Sequence, residues 1–478
     1  MGLFSPAVHP NIVLVVMDTA RADAFEPWGA APGTTPAVAQ LASSGQCLTN
    51  VRSTANWTVP GHASMFSGEL PRTLGLCQLG SDSLDCRPQI ATAGDKWLPE
   101  VLRRNGYETS AVSTNLWISE LSGFDAGFDR FENVYSPRAR NMGDSGVRAR
   151  LGWAREIALA RADDGATQAD ALIGRWLEAE RHGPFFWFVN LTECHSPYLP
   201  PRPFNDLNLL RRIQAADEAR SNLTLESIWK TSLGARRVPR HALQRMRHLY
   251  QCSVSAMDRW VERLLQRLDD HSLLGDTIVI VTSDHGENFG ECGLIGHCFS
   301  LDDRLLRVPF VASRPGFADS QMASLAEFPR AVAEVTGLKD HPWRQPVAAP
   351  GIAVAQMEAL ATLEKSQEVI HLWALDERAI DLVTTSSTCA VEGKVKLTRR
   401  DDGLELLYLL DLDTDESSPI TLNGHLPQGT QETIARLRHA IDAADDKITT
   451  AVPAVPNGDR EERETARIAL KMRELGYL

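Results

Sequence analysis

Four short strand-like runs, each ending on polar residues, set the frame: NIVLVVMD (Asn11 to Asp18), ETSAVSTN (Glu108 to Asn115), PFFWFVN (Pro184 to Asn190) and DTIVIVTSDHGE (Asp276 to Glu287). A run that is apolar at odd and even positions alike has no face to give to water, so it predicts a strand covered on both sides, as in parallel sheets. Helix-like stretches separate these runs, at Thr35 to Gly45, Leu98 to Gly106, Thr167 to Arg181 and Arg245 to Asp270. The alternation predicts an α/β sheet covered by helices, with the chemistry at the polar ends of the strands.

The pattern changes after the proline-bearing stretch KDHPWRQPVAAPG (Lys339 to Gly351). We therefore expect a catalytic unit over 1–345 and a smaller C-terminal unit over 346–478. In the latter, CAVEGKVKLTRR (Cys389 to Arg400) and LELLYLLDLDTDE (Leu404 to Glu416) flank Asp-Asp-Gly, which reads as a β-hairpin. The charged tail from Asp459 to Leu478 reads as a helix, and no internal repeat is visible.

Composition narrows the class. A chain of 478 residues, 43% hydrophobic, can bury a sizeable core. Its formal charge of -13 argues against general attraction to nucleic acid or anionic membranes, so an anionic ligand would need a specific site. The apolar run from Ile12 to Met17 is too short for a secretory core and lacks a basic leader, and no stretch is long enough to span a membrane, so the expectation is a cytoplasmic chain. Eight cysteines without a C-x-x-C pair argue against a zinc ribbon; reduced thiols are expected, with Cys77 to Cys86 the one disulfide considered.

Three segments carry chemistry. Asp18 closes an otherwise apolar strand, where it could equally cap the DTARAD turn. In TSDHGE, adjacent Asp284 and His285 at a strand end can offer one oxygen and one nitrogen to a single ion. In NWTVPGHASMFSG (Asn56 to Gly68), Pro60 suits a helix's first turn and Thr58 its N-terminus, where backbone N–H groups and the dipole favour an anionic ester; His62 follows one turn on.

In this order the segments resemble the sulfatase-like branch of the alkaline phosphatase superfamily, from Asn11 to about Val311. NIVLVVMDTARADAF is similar to the family's opening metal-binding strand, and TTPAVAQLASSGQCLTNVRSTANWTVPGHASMFSG to its nucleophile region. NLTECHSPYLPP resembles its histidine-bearing loop, YQCSVSAMDRWVERLL a shared helix, and TSDHGENFGECGLIGHCFSLDDRLLRVPFV its second metal segment. The terminal LKMRELGYL resembles its last helix. The resemblance implies a large, mostly parallel mixed sheet sandwiched by helices, with a smaller C-terminal α+β subdomain. It further implies Asp18, Asp284, His285 and Thr58 as metal ligands, Thr58 also as nucleophile, and His195, His297 and His62 as catalytic groups. Asn115 and Glu193 are the expected substrate-binding residues.

Where sulfatases carry a cysteine or serine that is oxidised to formylglycine, this chain reads Thr58-Val59-Pro60-Gly61-His62. Threonine cannot yield that aldehyde, so no formylglycine is expected. The reading is instead one divalent ion, manganese or zinc ahead of magnesium or calcium because of the imidazole, and hydrolysis of a phosphate mono- or diester through phosphothreonine. A second ion held by Glu193, His195 and His297 is the lesser expectation. The rivals are transfer to an acceptor other than water, a formylglycine-independent sulfate-ester enzyme, and a non-catalytic binding protein. The expected partner is a small anionic ester, and a homo-oligomer is compatible with the sequence.

Overall fold

A computed structural model describes residues 9–77, 85–134, 155, 157–161, 163–360, 373, 375–422 and 429–447. The strands, in chain order, are β1 (Asn11–Met17), β2 (Gln46–Cys47), β3 (Glu108–Ser113), β4 (Arg130–Asn133), β5 (Phe185–Leu191), β6 (Thr277–Thr282), β7 (Asn288–Phe289), β8 (Ile295–Gly296) and β9 (Phe310–Ala312). They are followed by β10 (Ile352–Met357), β11 (Ser387–Glu392), β12 (Val395–Arg400), β13 (Glu405–Leu409) and β14 (Ile420–Thr421). The large sheet runs β2-β9-β6-β1-β5-β3-β4. Its β6, β1, β5, β3 and β4 are parallel, while β9 and β2 make it mixed at one edge.

The unalternating composition of the strands has its cause in two cores. Ile12, Leu14 and Val16 of β1 join Phe186 and Phe188 of β5 in the core on one face, with Val59, Ala63 and Phe66 of the helix Thr58–Ser67. Val13, Val15 and Met17 join Phe185, Trp187 and Val189 in the core on the other face. That face is covered by Trp176 of the helix Ala166–Glu178 and by Leu249, Val254 and Trp260 of the helix Arg240–Asp270. Burying each such side chain contributes about 1.5–3 kcal/mol relative to exposure.

With both faces apolar, the side-chain pattern alone cannot fix strand register; the polar ends must. Val16 lies opposite both Asn190 and Thr282, and Ser113 lies opposite Asn190. Asp18 N–H donates to Leu191 O at 2.9 Å, and Thr114 N–H to Asn190 O at 3.0 Å. The turns after β1, β3, β5 and β6 therefore leave the sheet side by side.

The C-terminal sheet is antiparallel throughout, in the order β10-β11-β12-β13-β14, with the helix Gln431–Asp445 packed on it. The Asp-Asp-Gly turn joins β12 to β13 as expected, but the first half of the expected hairpin is itself folded. Glu392 pairs with Val395 across a turn at Gly393, whose φ of 60° is left-handed, so the run from Cys389 to Arg400 spans parts of two strands. Two ionic groups tie this sheet to loop and helix residues of the N-terminal part of the chain. Arg72 bonds to Glu358, Thr388 and Asp445. Lys396, fully buried, bonds to Glu416 and to Leu301 O, while Glu416 accepts from Asp303 N–H. No disulfide joins Cys77 and Cys86. The expected terminal helix over 459–478 lies outside the described residues. Among the described residues, no helix is long and apolar enough to cross a membrane.

Candidate metal and ester site

The turns after β1 and β6 are laced together by their own polar groups. Thr19 takes a left-handed φ of 60°, and its N–H points at Asp284 Oδ1, 3.2 Å away. Its hydroxyl donates to Cys194 O at 2.8 Å, which brings in the turn after β5. Ser283 accepts from Ala20 N–H at 2.9 Å and donates to His285 O at 2.7 Å. Tyr250 reaches up from the helix Arg240–Asp270, accepting from Arg21 N–H at 2.7 Å and donating to Thr19 O at 3.0 Å. A strained non-glycine backbone so heavily braced marks a place where position matters more than local stability.

Asp18, Asp284 and His285 are all fully buried and converge. Their potential ligand atoms lie within 4.8 Å of one another. His285 Nδ1 lies 2.9 Å from Gly286 O, an acceptor, so Nδ1 carries the proton and Nε2 presents a lone pair inward. That Nε2 is 3.2 Å from Thr58 Oγ1, 3.4 Å from Asp284 Oδ2 and 3.8 Å from Asp18 Oδ1.

Thr58 is the first residue of its helix, and two glycines let the pieces meet. A Cβ on Gly61 would stand 3.0 Å from Asp284 O, and one on Gly286 would stand 1.9 Å from Arg304 O. Asn115, expected on substrate, donates its side-chain N–H to Asp18 Oδ2, and its Oδ1 accepts from Trp117 N–H at 2.8 Å.

The electrostatics suit a cation. Asp18 Oδ1 and Asp284 Oδ2 are buried without a hydrogen-bond partner, a costly state for a carboxylate oxygen unless a cation satisfies it. Burial, with Asp284 next to it, pushes Asp18 up to about 6. Burial pushes Asp284 up to about 7 against the backbone N–H groups that stabilise its charge. Burial lowers His285 to about 4, leaving its ring neutral and ready to ligate. Two carboxylates, one imidazole and one hydroxyl on one point are a donor set that fits a divalent ion.

The remaining histidines divide in two. His62 is fully buried; its Nδ1 bonds Thr58 O at 2.9 Å and its ring stands edge-on to Phe188. Burial lowers it to about 3, so it braces the helix turn as a neutral ring and brings no positive charge. His297 and His195 are only half-buried. The His297 ring lies 4.3 Å from His285 and 5.6 Å from His195, centroid to centroid. Burial and the neighbouring imidazoles hold His297 well below the ordinary histidine range. His195 goes the other way: burial disfavours its charge, but Asp18, Glu287 and Asp284 outweigh that and raise it.

Glu193 is turned away from this group. Its Oε1 accepts from Ala166 N–H at 2.7 Å, at the start of the helix Ala166–Glu178, and burial beside Asp164 and Asp163 pushes it up to about 8. The residue that the sequence did not single out is Glu287. Buried, it accepts from the Tyr198 hydroxyl at 2.7 Å, while its other oxygen has no hydrogen-bond partner and its charge favours the protonated form of His195. Its signal was its place at the end of the TSDHGE turn.

An α/β sheet with buried carboxylates, an imidazole and a helix-terminal hydroxyl gathered at its strand ends has the layout of a candidate ester-hydrolase site with a candidate cation position. The particular family follows from comparison: the family model described as Sulfatase matches residues 10–337, and the chain belongs to that family. It is 23% identical over 474 residues to the choline-sulfatase of Rhizobium meliloti (strain 1021), covering 90% of this chain and 86% of that one. It is 25% identical over 340 residues to the iduronate 2-sulfatase of Mus musculus, an alignment of 64% of this chain that spans only 59% of the relative's length. Among solved structures, the phosphonate monoester hydrolase of Agrobacterium radiobacter shares the fold with a TM-score of 0.60 and 18% identity, over 92% of this chain and 96% of that one.

Proposed function

We propose that the protein hydrolyses a phosphate mono- or diester with Thr58 as nucleophile and a divalent ion held by Asp18, Asp284, His285 and Thr58. The observation that carries this is the Thr58 hydroxyl, 3.2 Å from His285 Nε2 beside two buried carboxylate oxygens without partners. When bound, such an ion lowers the hydroxyl's pKa and offsets charge on the ester oxygens. The imidazole favours manganese or zinc over magnesium or calcium.

The chain's own groups supply the rest. Thr58 Oγ1, its proton given up to solvent, attacks phosphorus; the bond to the leaving alcohol breaks and that oxygen takes a proton from His195, whose charged form Asp18 and Glu287 favour against burial. Water then attacks phosphorus, giving its proton to His195, and the bond to Thr58 Oγ1 breaks, releasing phosphate from a monoester or a phosphate monoester from a diester and returning the Thr58 alkoxide. The N–H groups of Thr58 and Val59 at the helix start would face the transferred group's oxygens, since Pro60 has no N–H and Gly61 N–H donates to Trp57 O. His297 stays neutral and binds as a donor or acceptor, and Asn115 and Glu193 act as positioning groups for Asp18 and for the turn after β5. We also keep the division into 1–345 and 346–478 as a proposal.

A sulfate ester is the second reading, favoured by the likeness to choline-sulfatase over 90% of this chain. Transfer to an acceptor alcohol uses the same site. A screen of metal-reconstituted protein across phosphate mono- and diesters, phosphonates and sulfate esters, with and without added alcohol, tests all three. Turnover of sulfate esters alone would replace the phosphate reading.

A further inference from the structure

We infer that Asp206, His248 and Cys252 form a second metal site, on the outer surface of the long helix and selective for a soft divalent ion of the zinc class. The three residues offer ligand atoms within 4.8 Å of one another, the one other such group among the described residues besides that of Asp18. His248 and Cys252 are spaced one helical turn apart in the helix Arg240–Asp270, so both side chains leave the same face. Asp206 comes from the irregular segment before the helix Leu209–Asn222.

The distances suit an ion. Tetrahedral zinc with bonds of about 2.0–2.1 Å to nitrogen and about 2.3 Å to sulfur sets its nitrogen and sulfur ligands about 3.6 Å apart, and nitrogen and oxygen about 3.3 Å apart. His248 Nε2 lies 3.7 Å from Cys252 Sγ and 2.8 Å from Asp206 Oδ1. The sulfur distance needs no change, and the carboxylate must move back by about half an ångström, which an exposed side chain can do.

An ion pair between His248 and Asp206 would explain the oxygen and the nitrogen, but it has no use for a thiol as third neighbour. Oxygen, nitrogen and sulfur together exclude magnesium and calcium as favoured occupants and leave the fourth position open to water. Burial and Asp206 push the Cys252 thiol up to about 11, so a metal ion would displace its proton on binding. Once loaded, the site would join the segment containing Asp206, eleven residues beyond His195, to the long helix by a bond rather than by an exposed ion pair.

Titration of the full chain with Cd2+ tests this, because the Asp18 site has only oxygen and nitrogen donors and cannot give the ultraviolet sulfur-to-cadmium charge-transfer band. The expected result is one equivalent of that band, lost in Cys252→Ser, weakened at least about tenfold in affinity in His248→Gln and Asp206→Asn, and competed by Zn2+ but not by Mg2+. No band, or a band that survives in Cys252→Ser, overturns the inference. So does a band indifferent to both His248→Gln and Asp206→Asn. None of these outcomes depends on turnover, so they leave the reading of the Thr58 site untouched.

Discussion

Replacing Asp284 by asparagine should stabilise the metal-free protein at neutral pH and destabilise the metal-loaded one. Asp18 rises from 3.8 to about 6 and Asp284 from 3.8 to about 7, with burial the largest cause for both. One unit corresponds to about 1.4 kcal/mol, so holding them charged without a cation costs the folded state on the order of 3 and 4 kcal/mol. The sign follows from proton counts. Below the unfolded value of 3.8 both states are protonated and nothing is lost; as pH rises, the unfolded chain ionises first, and folded stability falls until pH passes about 7.

Asparagine keeps an oxygen to accept from Thr19 and His285 N–H and removes the charge. With chelator at about pH 8, Asp284→Asn should therefore unfold at a higher urea concentration than wild type, by up to about 4 kcal/mol, and the difference should shrink towards about pH 4. Saturating metal should reverse the order, since an ion at a hundred times its dissociation constant adds about 2.7 kcal/mol to the protein that binds it. Tryptophan fluorescence across a urea series, with and without chelator, gives the midpoints. A metal-free wild type at least as stable as Asp284→Asn at about pH 8 would refute the reasoning, because the two orphaned oxygens would then not be a strained anion pair.

Thr58→Ala should keep fold and most metal affinity yet lose nearly all turnover, Thr58→Ser should keep part, and a slow phosphoester should leave a phosphoryl adduct on the peptide from Asn56 to Met65 by mass spectrometry. His195→Ala should slow esters with poor leaving groups by about 10²–10⁴-fold and good ones far less; equal losses would remove it as proton donor. Metal affinity, followed by calorimetry, should rise steeply from about pH 5 to 7 and then level off, since protons on Asp18 and Asp284 must leave; a flat profile would contradict the raised carboxylates. Gly61→Ala, which would press a methyl to 3.0 Å from Asp284 O, should reduce metal affinity and turnover together in the same assays.

The strand runs were legible because burial on two faces leaves an unmistakable apolar signature, and the polar residues closing them marked where the sheet would do its chemistry. Asp284 and His285 followed directly from that rule, and Thr58 from the Pro60 that marks a helix start, whereas the nucleophile role of Thr58 and the choice of His195 came from resemblance. The turn at Gly393 was missed because both strands of that hairpin are short and polar on one face, so they merged into one run. Glu287 and Tyr198 escaped because their pairing joins turns 89 residues apart, which no local pattern encodes. The same holds for His62: its role as neutral brace depends on Phe188 and Asp284 packed around it, not on its position one turn after Thr58.

The buried pair of Lys396 and Glu416 bears on how this chain could be divided. Cutting after residue 345 would take both residues away and leave Leu301 O and Asp303 N–H, which they hold, facing solvent at the base of the segment that carries His297. Removing one partner alone would strand a charge in the interior, at a cost of about 3–5 kcal/mol. The smaller sheet is thus a keystone for the larger one, and shortened versions of the protein should be sought by trimming at the outer strands rather than by separating the two sheets.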